Sequence, residues 1–149
     1  YTKNSAVFKS DEYTIYTRLI EGKYFAYQKM FTEGEINTCA SRTALIGAMT
    51  RAKMCTEEKQ PAVFQIEDDV LNISIRDKLA DYQEQVPLQE TVCKSIRLGF
   101  DSRLVLETLK AFTCDNIALG FTSPRTPMIV EAEDSDMKAM VLPVAIREA

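Results

Sequence analysis

Hydrophobic positions along the chain switch between two periods. Leu45, Ala48, Met49 and Ala52 recur at three- and four-residue spacing, which predicts a helix from Arg42 to about Cys55 with Ser41 as its N-cap. Leu104, Val105, Leu109 and Phe112 predict a second helix over Ser102 to Phe112, capped by Asp101, with those four residues facing the core. Elsewhere apolar and polar residues alternate in short runs. These predict strands at Ala6 to Phe8, Tyr13 to Ile20, Ala62 to Ile66, Val70 to Ile75, about Leu79 to Val86, Asn116 to Thr122, Met128 to Glu131 and Lys138 to Val144. Lys9 to Glu12, Glu67-Asp68-Asp69, Ser123 to Pro127 and Glu133 to Asp136 separate them as turns.

The order of these elements repeats. Ile36 to Leu88 reads strand, helix, three strands, and Thr91 to Ile146 reads the same way. A βαβββ unit duplicated at roughly sixty residues predicts an α+β fold, with two helices packed on one face of antiparallel sheets. Residues 1–34 lie outside the repeat. Their two strands are marginal alone, so they belong to a preceding domain or pack on this one. Tyr24 to Phe31 is aromatic-rich and runs into Thr32-Glu33-Gly34-Glu35, which reads as a linker.

Charge sharpens the picture. The net charge is −4, yet Asn37 to Thr56 carries Arg42, Arg51 and Lys53 and no acid, leaving −7 for the rest. A basic helix on an acidic body either directs a polyanion to one face or is simply solvated. With 149 residues the chain fits one domain or a domain plus a fragment, and a start at Tyr1 reads as a cut from a longer polypeptide. Cys39, Cys55, Cys93 and Cys114 form no CxxC clip, so reduced thiols in a cytosolic protein are expected. The absence of His removes the commonest metal ligand and general base. No apolar run is long enough for a membrane span. Glu67, Asp68 and Asp69 offer carboxylates to a hard cation, but between two alternating strands they read as a hairpin tip. No cofactor or metal is expected.

Three strings resemble the bacterial DNA sliding clamp, the β subunit of the replicative polymerase. RLIEGKYFAYQKMF (Arg18 to Phe31) is similar to the segment leaving that family's middle domain. IRLGFDSRLVLETLKAFTCDNIALGF (Ile96 to Phe121) is similar to the second helix and following strand of its third domain. AMVLPVAI (Ala139 to Ile146) resembles its C-terminal strand. The resemblance covers nearly the whole chain. It implies that residues 1–34 end the middle domain and that 35–149 form the C-terminal clamp domain.

The resemblance also implies a function. Such clamps are ring-shaped homodimers around double-stranded DNA, held without sequence preference by phosphate contacts. Arg42, Arg51, Lys53, Arg103 and Lys110 would face the DNA. Replicative polymerase, clamp loader and repair proteins insert short linear peptides into a groove between domains. The matching positions are Phe25, Lys29, Met30, Asp101, Leu104, Arg125, Pro127, Met140, Val141, Leu142, Pro143 and Val144. Met54 and Cys55 would meet the neighbouring subunit. The chain departs from the family at Phe25, at Leu142-Pro143-Val144-Ala145, and in the extra Arg147 to Ala149. Two other readings remain open: a stand-alone clamp-like regulatory module, and a small enzyme using Glu67, Asp68 and Asp69 with a divalent metal. Two further copies of the paired unit upstream would decide for the clamp.

Overall fold

A computed structural model describes residues 4–55, 60–76 and 81–146. The elements are β1 (Ser5–Lys9), β2 (Thr14–Arg18), a 3-10 turn (Tyr27–Met30), β3 (Ile36–Ser41), α1 (Arg42–Met54), β4 (Ala62–Arg76), β5 (Asp81–Phe100), α2 (Ser102–Ala111), β6 (Asn116–Phe121), β7 (Met128–Ala132) and β8 (Ser135–Val141). β1 and β2 form a separate two-stranded sheet, and the others are linked in the order β4-β5-β3-β6-β7-β8.

The duplication is visible in the pairing. β3 lies between β5, with Ala40 opposite Leu88, and β6, with Ile36 opposite Phe121. The C-terminal half of β5 holds the equivalent place in the second unit. It lies between β4, with Ala62 opposite Phe100, and Val144, which bridges to Gly99. β3 runs into α1 as β5 runs into α2. A side chain at Gly99 would put its Cβ 2.8 Å from the Val144 carbonyl oxygen, so only glycine lets the C-terminal segment cross there. Gly34 is equally confined, 2.7 Å from the Phe121 amide nitrogen.

Several expected boundaries are corrected. Glu67-Asp68-Asp69 is not a hairpin tip. β4 runs through it, and Asp68 pairs with Val92 at a register shift on each side, with φ of 51°. The pattern breaks because a β-bulge turns the side chains outward without ending the hydrogen bonding. The break expected between Leu88 and Thr91 is likewise absent. Gln89, Glu90 and Thr91 are exposed, but Val86, Leu88, Val92, Ile96 and Leu98 keep pointing inward along one strand. Thus β5 is both the last strand of the first unit and the first of the second. The strand start expected at Leu79 and the tail Arg147 to Ala149 lie outside the described residues.

Both helices bury one stripe. In α1 it is the expected Leu45, Ala48, Met49 and Ala52. In α2 it is Ser102, Val105, Leu106 and Leu109, continued by Phe112. Leu104 is therefore not a core residue: at 51% exposed it stands on the outer face, and Leu106 takes the inner place. Phe64 and Phe100 meet edge to face with ring centres 5.2 Å apart, a geometry that adds about 0.5–1.5 kcal/mol to their burial. The helices pack on each other. The Arg42 amide donates to the Asp115 carbonyl at 2.9 Å, so the start of α1 abuts the chain leaving α2.

Candidate nucleic-acid face and peptide groove

The five cations expected to face DNA all stand on the two helices, in different circumstances. Arg42 is half-buried, and its Nε donates to the Cys114 carbonyl at 2.6 Å, which ties α1 to the loop after α2. Arg51 folds back over Gly47, where no side chain obstructs it, and grips Glu84 of β5 with Nε donating to Oε2 at 2.8 Å. The Tyr82 hydroxyl has one proton to share between that carboxylate and the Ala48 carbonyl, 2.9 Å away. The hydrogen bond to Glu84 raises the Arg51 pKa above its ordinary value, and the same bond holds the Glu84 carboxyl below its own. Burial, then the bond to Glu84, raises Tyr82. Arg51 is therefore tied to the sheet while its side chain stays more than half exposed. Lys53, Arg103 and Lys110 are exposed. Arg103 also reaches back to Asp101 at 3.5 Å.

Asp101 caps α2. Its Oδ1 accepts from the Arg103 amide at 2.8 Å, a contact that contributes about 1 kcal/mol to a helix. Burial acts to raise its carboxyl, but hydrogen bonds from the Arg103 amide and guanidinium and the Leu104 amide outweigh burial and hold the pKa below the usual range.

The residues expected to line a groove, Asp101 aside, divide into four groups. Arg125, Pro143 and Val144 do share a cleft, formed where the C-terminal segment crosses Gly99. Arg97, Leu98, Gly99, Pro124, Ala145 and Ile146 also line it, and sequence reasoning missed them. Arg97 could have been found from strand alternation, since it is exposed between buried Ile96 and Leu98. Leu104 and Leu142 are 51% and 56% exposed, and Met140 and Pro127 are half-buried. Val141 is core: it pairs with Met128 and points inward by strand alternation, so its side chain offers no surface. Phe25, Lys29 and Met30 do not line this cleft. Phe25 stacks on Tyr24, with ring centres 5.0 Å apart, beside the 3-10 turn that carries Lys29 and Met30.

Met54, expected at a subunit contact, is 82% exposed at the end of α1. Cys55 is half-buried, and its amide donates to the Ala52 carbonyl. Among the described residues no group of three His, Cys, Asp or Glu could hold a metal ion. Cys39, pushed up by burial and by Glu90 and Glu133, is a poor thiolate. No described helix is long and apolar enough to cross a membrane.

Comparison with known proteins decides the family. The family model for the C-terminal domain of the DNA polymerase III beta subunit matches residues 31–145. The chain belongs to that family. Beta sliding clamps of Halalkalibacterium halodurans and Staphylococcus aureus strain Mu50 are 25% identical over 140 residues and 24% over 149, covering 91% and 97% of the chain. The chain spans only 37% and 40% of their lengths. Among solved structures, a DNA polymerase sliding clamp from Caulobacter crescentus superposes with a TM-score of 0.90 at 13% identity. One from Pseudomonas aeruginosa gives 0.88 at 19%. Each match covers 98% of this chain, and 40% and 41% respectively of the other. The fold is thus the DNA-clamp fold, and the duplicated βαβββ pattern is how this sequence encodes it.

Proposed function

We propose that the chain is the C-terminal part of a processivity clamp. Residues 35–149 form its last domain, and 1–34 close the domain before it. The full polypeptide dimerises head to tail into a ring around duplex DNA in the cytoplasm, with Met54 and Cys55 at the subunit contact. It catalyses nothing. It holds DNA by topology and holds polymerase, clamp loader and repair proteins by capturing short linear peptides. No cofactor or metal enters that work.

One observation carries the reading: a clamp-domain match over 31–145 on a fold whose packed helices carry Lys53, Arg103 and Lys110 while the body is acidic. Cations on the helices attract phosphates, and carboxylates elsewhere repel stray nucleic acid. The helices read no base, as sliding requires.

Loading tests the ring. The full-length parent, placed on nicked circular DNA by its loader, should stay through gel filtration at moderate salt. It should leave within minutes once the circle is cut to a linear form. Equal retention on both forms would rule out encirclement.

A further inference from the structure

We propose that Glu84 and Tyr82 of β5 position the last turn of α1 for the subunit contact, acting through Arg51, so that a polar network inside one subunit sets how firmly the ring closes. The proposal rests on the subunit-contact reading above and adds the residues that keep that contact in shape.

The end of α1 has little of its own to fix it. Cys55 follows the helix with φ of −90° and ψ of −2°, outside the left-handed region used by the glycine caps that close many helices. Ala52 is the last residue of α1 whose side chain is buried, and Met54 beyond it is 82% exposed. Packing therefore stops short of the residues that would meet the neighbouring subunit. Met54 and Cys55 lie three and four residues beyond Arg51, so the three share one side of the helix. Whatever fixes Arg51 also fixes the direction in which Met54 is offered.

Arg51 is held by two of its nitrogens. Nε donates to Glu84 Oε2 at 2.8 Å, and Nη2 donates to Oε1 at 2.5 Å. Such a forked pair between guanidinium and carboxylate sets direction as well as distance. The fork passes over Gly47, where a Cβ would come within 3.2 Å of Nη2. The Tyr82 hydroxyl touches the same carboxylate and also the Ala48 carbonyl, one turn before Arg51. Tyr82 and Glu84 are two residues apart on β5, hence side by side on one face of the strand. The strand thus grips two successive turns of α1, Ala48 through Tyr82 and Arg51 through Glu84. A frayed last turn would have to be ordered each time two subunits met, and that entropy opposes association. A turn already held in the free subunit escapes this penalty.

The test measures subunit exchange in the full-length parent, from the loss of fluorescence transfer when doubly labelled rings are mixed with unlabelled protein. Glu84→Gln should speed exchange by about tenfold, and Tyr82→Phe by a smaller factor in the same direction. Arg51→Gln combined with Glu84→Gln should exchange no faster than the quicker single variant, because the two residues act as one unit. Val130→Ala, in the core on β7, should lower the melting temperature and leave exchange unchanged. Equal acceleration by Val130→Ala would reduce the network to ordinary stability and overturn the proposal. So would a double variant whose acceleration is the product of the two singles. Met54→Asp separates this proposal from the contact it rests on. If Met54→Asp speeds exchange and Glu84→Gln does not, the positioning role falls and the contact stands. If Met54→Asp leaves exchange unchanged, both fall.

Discussion

Single side chains on α2 couple stability to acidity. The Asp101 pKa is held below the ordinary carboxylate value of about 3.9. A depressed carboxyl stabilises the fold above its unfolded pKa and loses that contribution as pH falls through its folded value. Stability should therefore be level near neutrality and decline below about pH 4, in part through this residue. Asp101→Ala should cost about 1 kcal/mol at pH 7, a drop of about 2–4 °C in Tm. Asp101→Asn keeps a cap but should flatten the acid limb. Thermal melts of the three proteins from pH 7 to pH 3 give the comparison, and an unchanged acid limb in the Asn variant would remove Asp101 from it. Glu84, depressed by Arg51, contributes with the same sign. Arg51, expected from the sequence to face DNA, also joins helix to sheet.

At the scale of elements, the long β4–β5 hairpin lets one strand serve two units. Its bulge depends on Asp68 in the left-handed region, where most side chains cost roughly 1–2 kcal/mol. Asp tolerates this better than branched residues do. Asp68→Gly should leave stability within about 1 kcal/mol of the original, because relief of strain is offset by added freedom in the unfolded chain. Asp68→Val should destabilise by at least about 1 kcal/mol. Urea unfolding decides: a Val variant as stable as the parent would mean that the bulge does not constrain β4. The same geometry explains what the sequence concealed. Alternation across Glu67 to Asp69 looks like two strands and a turn, because a bulge and a hairpin both show an interrupted apolar run. Only the pairing of Asp68 with Val92 separates them.

At the scale of the whole molecule, the chain is a part whose exposed surfaces belong to a larger assembly in the clamp reading. Lys110 and Arg103 on α2 should contribute to the salt dependence of DNA retention. In the parent, Arg103→Glu with Lys110→Glu should reduce the slope of log affinity against log salt by about one unit for each phosphate no longer neutralised, without changing sequence preference. An unchanged slope would take α2 off the DNA face. Leu142, more than half exposed beside Pro143, should tolerate Asp with little loss of stability. Leu142→Asp should weaken capture of a polymerase-tail peptide by about tenfold, ~1.4 kcal/mol, in a titration by anisotropy. Unchanged affinity would place the peptide elsewhere.

The sequence by itself determined that a strand–helix–strands order occurs twice, both helices with their Ser41 and Asp101 caps, and the α1 core stripe. These are local features, written in spacing and capping chemistry over a few turns of chain. Tertiary structure alone decided that β5 is shared between units, that Leu104 faces out and Val141 in, and that Arg97 joins Arg125 at one cleft. Those facts depend on which distant strands pair and where the chain crosses Gly99, and contacts between residues far apart in sequence leave no periodic trace in it.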